Sequence, residues 1–287
     1  MIKNIRKSIS IAGISIRVES NVNFEFSEKC SKFISGDEIA DVTFLFRWET
    51  DIEINGEILF DFDKYRFVKK GERIYCLCKK YHDNDAYIWC VSRIEAESKY
   101  EVIVLDDIDD EIPIINPLIY VELASFLIKF NAIILHSSLI KFNNKAIIFT
   151  APSQTGKSTQ ASIWEKYYGA EIINGDRSIL RYLNNKWIAA GSPYAGSSGI
   201  YKNECAEIRA IVVLRQAKQN EIHRMSMKES YMCLLSEITI SPIDKKTVEV
   251  QSEWILKLIE DVPIYKLSCL PNKSAADILY KELKEQF

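Results

Sequence analysis

Residues 151–159 read Ala-Pro-Ser-Gln-Thr-Gly-Lys-Ser-Thr and follow directly after the apolar run at residues 146–150. This order predicts a buried strand, a tight turn and a helix that begins at Lys157, which together form a phosphate-binding loop. Backbone N–H groups of such a turn bind phosphate, and the helix N-terminus adds partial positive charge. Lys157 then reaches the β- and γ-phosphates, and the Ser158 hydroxyl binds Mg²⁺. The stretch predicts that the chain binds a nucleoside triphosphate.

One position of the loop departs from the pattern G-x-x-x-x-G-K-S/T, because Ala151 stands where the first glycine is expected. A Cβ is tolerated there when φ is negative, so the departure weakens the motif without cancelling it. Seven residues of the loop and the first helical turn are predicted to contact the phosphates: Ser153, Gln154, Thr155, Gly156, Lys157, Ser158 and Thr159.

The length and composition are ordinary for a globular protein. The 287 residues suffice for one large domain or two smaller ones, and 47% of them are hydrophobic. A net charge of -3 gives no general attraction to nucleic acid, and no continuous apolar stretch reaches the ~20 residues that span a bilayer. Seven scattered cysteines without a C-x-x-C pair predict reduced thiols in the core. These features predict a cytoplasmic protein with no nucleic-acid or membrane partner.

Residues 1–112 are predicted to form a strand-rich domain that serves as a scaffold or as a substrate-recognition module. Apolar and polar residues alternate with period two in six runs, which turn residues such as Asn55-Gly56 separate. The pattern predicts an antiparallel meander with strands at residues 14–18, 42–46, 64–68, 73–77, 87–91 and 101–105. The charged run at residues 106–111 predicts an exposed linker at the end of this domain.

Residues 113–287 predict a second domain in which strands and helices alternate, as in α/β nucleotide-binding proteins. The predicted strands lie at residues 132–135, 145–150, 171–173, 210–214 and 264–267. The predicted helices lie at residues 117–129 and 157–168 and near residues 228–238, 247–260 and 273–286.

His136 follows the predicted strand 132–135 and lies 21 positions before Lys157. A histidine beside an apolar strand is more often a structural residue. The C-terminal ends of strands are, however, where α/β proteins assemble their sites, so a catalytic role for His136 is the competing hypothesis.

Asp176 and Arg177 follow the predicted strand 171–173. A carboxylate at this place suits Mg²⁺, which prefers oxygen ligands, and it also suits a base that accepts the proton of an attacking hydroxyl. Arg177 is predicted to contact phosphate oxygens or to pair with Asp176. The preceding Asn174-Gly175 favours a hairpin turn, which is compatible with both roles. A loop rich in glycine at residues 191–199 is a further candidate for closing over phosphates or substrate.

The order of these motifs resembles the catalytic domain of HPr kinase/phosphorylase, whose core is shared with ATP-dependent phosphoenolpyruvate carboxykinase. The resemblance covers roughly residues 130–216 and rests on His136-Ser137, on the loop 153–159 and on the run 174–177. Residues 191–196 and 265–271 look like an offshoot of this family in peptide-modification clusters, including kinases that phosphorylate a serine of lasso-peptide precursors. The strand-rich front part does not resemble the front domain of the regulatory enzymes.

The resemblance implies an α/β fold with a mixed central sheet and the cofactors ATP and Mg²⁺. It implies that Lys157 binds the β- and γ-phosphates, that Ser158 and Asp176 bind Mg²⁺, that Asp176 is the catalytic aspartate and that His136 assists it. Gly175 stands where the family has the first of two adjacent aspartates. Three alternatives follow: Asp176 both binds the metal and accepts the proton, or His136 takes more of the base role, or activity is impaired.

Three hypotheses follow for the function. The first is a kinase that uses ATP and Mg²⁺ to phosphorylate a hydroxyl, with a serine on a ribosomally made peptide or small protein as the acceptor. The second is a kinase of the same fold whose acceptor is a small metabolite. The third is a nucleotide-binding accessory protein without catalysis. Homo-oligomerisation is a further expectation, by analogy with the family.

Overall fold

The computed structural model describes residues 5–36, 39–61, 65–80, 83–94, 98–105, 123–194, 196–240 and 245–284. The chain divides into two compact units, Met1–Phe126 with Ser241–Lys245 and Leu127–Ile240 with Lys246–Phe287. The predicted domain boundary after residue 112 and the predicted linker at 106–111 lie outside the described residues.

The described residues of the first unit form a nine-stranded sheet in the order β3-β1-β2-β4-β9-β8-β7-β6-β5. Each of the six predicted strands is present and is longer than predicted, whereas β1, β3 and β5 were not predicted. The elements are β1 (Ile5–Ile11), β2 (Ile14–Ser20), α1 (Glu28–Ser31), β3 (Ile34–Ser35), β4 (Val42–Glu49), β5 (Glu57–Asp61), β6 (Tyr65–Lys70), β7 (Arg73–Lys80), β8 (Asp83–Ile94) and β9 (Lys99–Leu105).

The prediction that this unit is an antiparallel meander is wrong at two pairings. Strand β2 pairs with β4 in parallel, and β4 pairs with β9 in parallel. A meander requires each strand to turn back on the one before it. Here a segment that contains α1 separates β2 from β4, and β5–β8 separate β4 from β9. Connections of this length permit the crossovers that parallel pairs need.

The second unit contains an eight-stranded mixed sheet, as the resemblance implies. Strand β11 pairs in parallel with β15, and β15 pairs in parallel with β17, while the other pairings are antiparallel. Helix α2 (Leu123–Leu127) lies at the division between the units. The further elements are β10 (Ala132–Phe142), β11 (Lys145–Thr150), α3 (Lys157–Tyr168), β12 (Glu171–Asn174), β13 (Arg177–Leu183), β14 (Lys186–Ala190), β15 (Cys205–Gln216), β16 (Glu221–Arg224), α4 (Met227–Glu237), α5 (Lys245–Asp261), β17 (Ile264–Cys269) and α6 (Lys273–Leu283).

Helices cover both faces of this sheet. Successive side chains of β11 point to opposite faces, as the period of two in a strand requires. Ile147 and Phe149 pack in the same core cluster as Trp164 of α3 and Leu279 of α6, whereas Ile148 belongs to a separate cluster with residues of α4 and α5. Burial on both faces explains why residues 146–150 are continuously apolar rather than alternating.

Several predicted elements of this unit differ in extent, and β13, β14 and β16 were not predicted. The predicted strand 210–214 is the longer β15. Strand β10 continues through His136 to Phe142, so the prediction that His136 lies at the end of a strand is wrong. Ser137 and Ser138 lie within the strand and are fully buried, and the Ser137 hydroxyl donates a hydrogen bond to Ser178 Oγ at 2.9 Å. The predicted helix 117–129 is described from residue 123 onward, and it ends in a 3-10 turn at residues 128–130.

The prediction of cysteines in the core holds for Cys30, Cys76, Cys78 and Cys90, which are buried, but Cys205 is exposed. Within the described ranges, no helix has the length and apolar character that crossing a bilayer requires.

Helix α4 begins with a capping box, in which the Ser226 side chain accepts from the Glu229 N–H and the Glu229 side chain accepts from the Ser226 N–H. We expect Ser226→Ala to lower the free energy of unfolding by about 1 kcal/mol, because one N–H of the first turn loses its acceptor. Urea unfolding of both proteins measures the difference. An unchanged midpoint would contradict a stabilising role for this cap.

Candidate active site

The loop between β11 and α3 has the predicted strand–turn–helix arrangement. Gly156 adopts φ 115° immediately before α3, and Gln154 adopts φ 65°. Ala151 is buried and has no positive φ, so its Cβ is accommodated as expected. Gln154 occupies a left-handed conformation that favours glycine, and this conformation costs a residue with a Cβ about 1–2 kcal/mol.

The first turn of α3 is suited to an anion. Its N-cap residue, Gly156, has no side chain that could accept from the first N–H groups, and the turn contains no acidic residue. Ser158 and Thr159 in the same turn are exposed. Backbone donors without intrahelical acceptors, together with the helix dipole, favour a phosphate at this end.

Lys157 is buried to 7% exposure, and its Nζ donates to the carbonyl oxygens of Ala151 at 2.7 Å and Pro152 at 3.3 Å. Burial lowers the pKa of this ammonium group, while the negative charges of Glu237 and Asp176 oppose the shift. The cation thus lies inside the loop, within the field of two carboxylates. A bound phosphate would add the anionic partner that the two neutral carbonyls cannot provide.

His136 lies on β10 with a neighbouring residue on each side. In the β10–β13 ladder it is opposite Arg177. On the other side, Leu135 forms a bridge with Ile238, which brings Glu237 at the end of α4 next to His136. The backbone of His136 is held as well, because the Thr150 hydroxyl donates to its carbonyl oxygen at 2.8 Å.

The His136 ring contacts a carboxylate at each nitrogen. Nε2 lies 3.5 Å from Asp176 Oδ1, and Nδ1 lies 3.2 Å from Glu237 Oε2. Burial holds the pKa of His136 below its usual range, and Lys157 lowers it further. Asp176 and Glu237 act in the opposite direction without reversing the shift. The imidazole is therefore predominantly neutral at pH 7 and is able to accept a proton.

Asp176 lies on a turn that Asn174 organises. The fully buried Asn174 side chain accepts from the N–H groups of Asp176 at 3.0 Å and Arg177 at 2.8 Å. Its amide donates to the carbonyl oxygens of Ser192 and Tyr194, which ties the turn to the loop 191–199. The predicted hairpin turn at Asn174-Gly175 is wrong, because β12 and β13 both pair antiparallel with β10 in consecutive register, so the chain bends at residues 175–176 without turning back. A functional role for Asp176 stays a prediction.

The loop 191–199 lies directly against Asp176. A Cβ added to Gly196 would lie 2.8 Å from Asp176 Cβ, and Gly196 has φ 53°. Only glycine meets both conditions without displacement of the aspartate. Gly196 of this loop therefore lies next to Asp176 in the candidate site, and closure of the loop over a ligand stays a prediction.

Arg177 is held beside the site by several contacts. Its Nη1 donates to Thr239 Oγ1 at 2.6 Å, and its guanidinium lies over the Tyr194 ring at 5.9 Å from the centroid. Its Nε is 4.0 Å from Asp176 Oδ2, at the outer limit of an ion pair. The predicted pairing with Asp176 is thus loose, and a role toward phosphate stays a prediction.

A cavity of about 460 Å³ lies beside the loop and is lined in part by Thr155, Gly156 and Thr159. Apolar residues at the end of β15 and just after β17, including Leu214 and Leu270, form much of the remaining wall. Pockets of this size and mixed lining accommodate small ligands. Its position next to α3 makes it the candidate space for the remainder of a nucleotide.

Magnesium fits this site as a partner of phosphate. The described residues contain no group of three or more His, Cys, Asp or Glu side chains that could hold a metal by themselves. Mg²⁺ usually takes one or two protein oxygens and completes its shell with water and substrate phosphates. The exposed Ser158 hydroxyl and the Asp176 carboxylate, which is 28% exposed, are the predicted oxygens.

Neither a protein-family model nor a curated protein sequence matches the chain. Among solved structures, the chain is similar to the HPr(Ser) kinase/phosphatase from Coxiella burnetii. The alignment has 10% sequence identity and a TM-score of 0.31, and it covers 53% of this chain and 93% of that chain. This is a distant structural relationship.

Glu237 is the site residue that sequence reasoning missed. It is 101 positions from His136 and ends a helix that was predicted without any role in chemistry. The bridge between Leu135 and Ile238 creates the contact, and no motif marks it. The side chain is only 9% exposed, an unusual burial for a glutamate at a helix end.

Proposed function

We propose that the chain is an ATP- and Mg²⁺-dependent kinase that transfers the γ-phosphoryl group to a hydroxyl. The proposal rests on the proximity of the Lys157 loop to the pair Asp176 and His136. Lys157, inside a phosphate-binding loop, lies in the electrostatic field of Asp176, and Asp176 in turn contacts His136. A cation for the phosphates and a pair of groups that can receive a proton are therefore neighbours.

The chain's residues suit the needs of phosphoryl transfer, which are positioning and charge neutralisation. The N–H groups at the start of α3 and the Lys157 ammonium would bind the phosphates. Ser158 and Asp176 would hold Mg²⁺, which, when bound, neutralises charge on the phosphate oxygens. The acceptor hydroxyl would approach between Asp176 and His136, where its proton can be received.

We further propose that the acceptor is a serine on a peptide or small protein. An extended peptide binds by adding a strand to an exposed sheet edge. Strand β5 is an edge strand of the sheet in the described part of the first unit, and its Ile58 and Phe60 are 55% and 41% exposed. This edge supports a recognition role for the first unit.

The test is to incubate the protein with ATP labelled at the γ-phosphate, Mg²⁺ and a library of serine-containing peptides. A matched library carries alanine at each serine. We expect label on the serine library alone and a mass gain of one phosphoryl group. Labelling of small metabolites instead would favour a metabolite kinase. ATP binding with no transfer to any acceptor would favour a nucleotide-binding accessory protein.

A further inference from the structure

We propose that Glu237 is a positioning residue that fixes the His136 ring with its Nε2 lone pair toward Asp176 and the acceptor hydroxyl. His136 then receives the proton of the acceptor, and Asp176 is left to bind Mg²⁺. The inference rests on the proposed function, because it assigns a division of labour within the same site.

The backbone brings Glu237 to this place. Beyond the end of α4, the chain runs alongside β10, where the Thr239 N–H donates to the Ile134 carbonyl oxygen at 2.9 Å and Ile238 bridges Leu135. In an antiparallel pair this register puts Glu237 opposite His136. The Ile238 N–H also donates to the Leu234 carbonyl oxygen, so the end of the helix is anchored on both sides.

The hydrogen-bond chemistry then selects one tautomer. An ionised carboxylate only accepts hydrogen bonds, and a neutral imidazole has one N–H and one lone pair. Glu237 and Asp176 therefore compete for a single N–H. The contact with Glu237 is shorter, at 3.2 Å against 3.5 Å, and the Glu237 side chain is more buried, at 9% exposure against 28%. Because a buried hydrogen bond is electrostatically stronger, we assign the proton to Nδ1.

In this arrangement Asp176 binds the metal and Glu237 positions His136. The turn at residues 174–177 carries a single carboxylate, because Gly175 has no side chain. Glu237 brings a second carboxylate from another element and places it behind the imidazole rather than beside the metal ligand. A carboxylate behind a histidine holds the ring and its tautomer while the opposite nitrogen takes the proton.

The transfer step balances with these groups. The acceptor oxygen forms a bond to the γ-phosphorus as its proton passes to His136 Nε2. The bond from the γ-phosphorus to the bridging oxygen breaks, and its electron pair leaves with ADP. The imidazolium that forms carries its second proton on Nδ1, where Glu237 stabilises the new positive charge.

Nitrogen NMR of isotope-labelled histidine tests the tautomer directly. The chain has three histidines, so spectra of a His136→Gln variant identify the His136 signals. At mildly alkaline pH we expect the wild-type ring to carry its proton on Nδ1. In Glu237→Leu we expect the proton to move to Nε2, toward Asp176. Glu237→Gln should keep it on Nδ1, because the amide oxygen still accepts.

Turnover provides the second readout. With whichever acceptor the peptide library identifies, we expect Glu237→Leu to lower kcat by about 10–100-fold with an unchanged KM for ATP. Glu237→Gln should recover much of the loss. Glu253→Gln, which removes an exposed glutamate on α5, is the control and should behave as wild type. Thermal unfolding of each variant verifies that it is folded.

Two results would overturn the inference: a proton on Nε2 in the wild-type protein, or a Leu variant that keeps the Nδ1 proton and full kcat. Failure of the proposed function looks different. The wild-type protein would then transfer no phosphate to any acceptor, while the tautomer would still change between wild type and Glu237→Leu. That outcome would support the positioning role of Glu237 and would exclude the proposed kinase activity.

Discussion

Replacing Lys157 with alanine is expected to reduce ATP-dependent phosphoryl transfer by about 10²–10³-fold, the usual cost of losing one charge-stabilising donor at a transferring group. Transfer to the acceptor should fall below detection when the wild-type rate is slow. The measurement is the initial rate of γ-phosphate transfer at saturating Mg²⁺, together with the dissociation constant of ATP.

The size of this effect follows from where Lys157 lies. Lys157 is only 7% exposed as a residue, so its interaction with a phosphate is weakly screened. In the free protein Nζ donates to the carbonyl oxygens of Ala151 and Pro152. Hydrogen bonds from a charged donor contribute about 1.5–3 kcal/mol each, so thermal unfolding of the variant verifies that it is folded.

Lys166→Ala is the matched control, because Lys166 is an exposed lysine in the last turn of the same helix. It removes an equal charge at the helix end that faces away from the loop and should leave transfer unchanged. A Lys157→Ala protein with the wild-type rate of transfer would rule out the phosphate-binding role of the loop, and with it the proposed kinase.

The local parts of this site were predictable from the sequence because they depend on neighbouring residues. A continuous apolar run followed by Gly156-Lys157 dictates a buried strand, a turn and a helix within a single stretch of chain. The bend after Asn174 is equally local, since the Asn174 side chain accepts from N–H groups two and three positions onward, but the pairing of β12 and β13 with β10 instead of with each other was not predictable. The apolar run before His136, 21 positions ahead of Lys157, indicated a second strand near the loop.

The remaining parts depend on how strands pair across long separations. The parallel partners β2, β4 and β9 cannot be told from antiparallel ones by alternation, because alternation is the same in both. The course of β10 through Ser137 was hidden because a buried serine looks like a loop residue until its partner, Ser178, is known. Glu237 contacts His136 because Leu135 and Ile238 form a β-bridge between distant segments. The sequence of neither segment alone predicts this pairing.

Replacing Asp176 with asparagine is expected to lower turnover by about 10²–10³-fold and to raise the Mg²⁺ concentration needed for half-maximal rate. Asparagine keeps the size of the side chain, and the backbone hydrogen bond from the Ser137 N–H to the residue 176 carbonyl oxygen is unaffected. The variant loses the negative charge that a hard cation prefers, and metal-held charge stabilisation contributes several kcal/mol to such reactions. The measurement is the transfer rate as a function of Mg²⁺ at saturating ATP.

A His136→Gln variant separates the metal role from the proton role. If Asp176 holds Mg²⁺ and His136 receives the proton, only the Asp176 variant shifts the Mg²⁺ dependence, while the His136 variant lowers the rate equally at every Mg²⁺ concentration. Asp51→Asn, an exposed substitution in the first unit, should change neither quantity. An Asp176→Asn protein with the wild-type rate and Mg²⁺ dependence would exclude Asp176 as a ligand. A reduced rate with an unchanged Mg²⁺ dependence would instead assign the role of the base to Asp176.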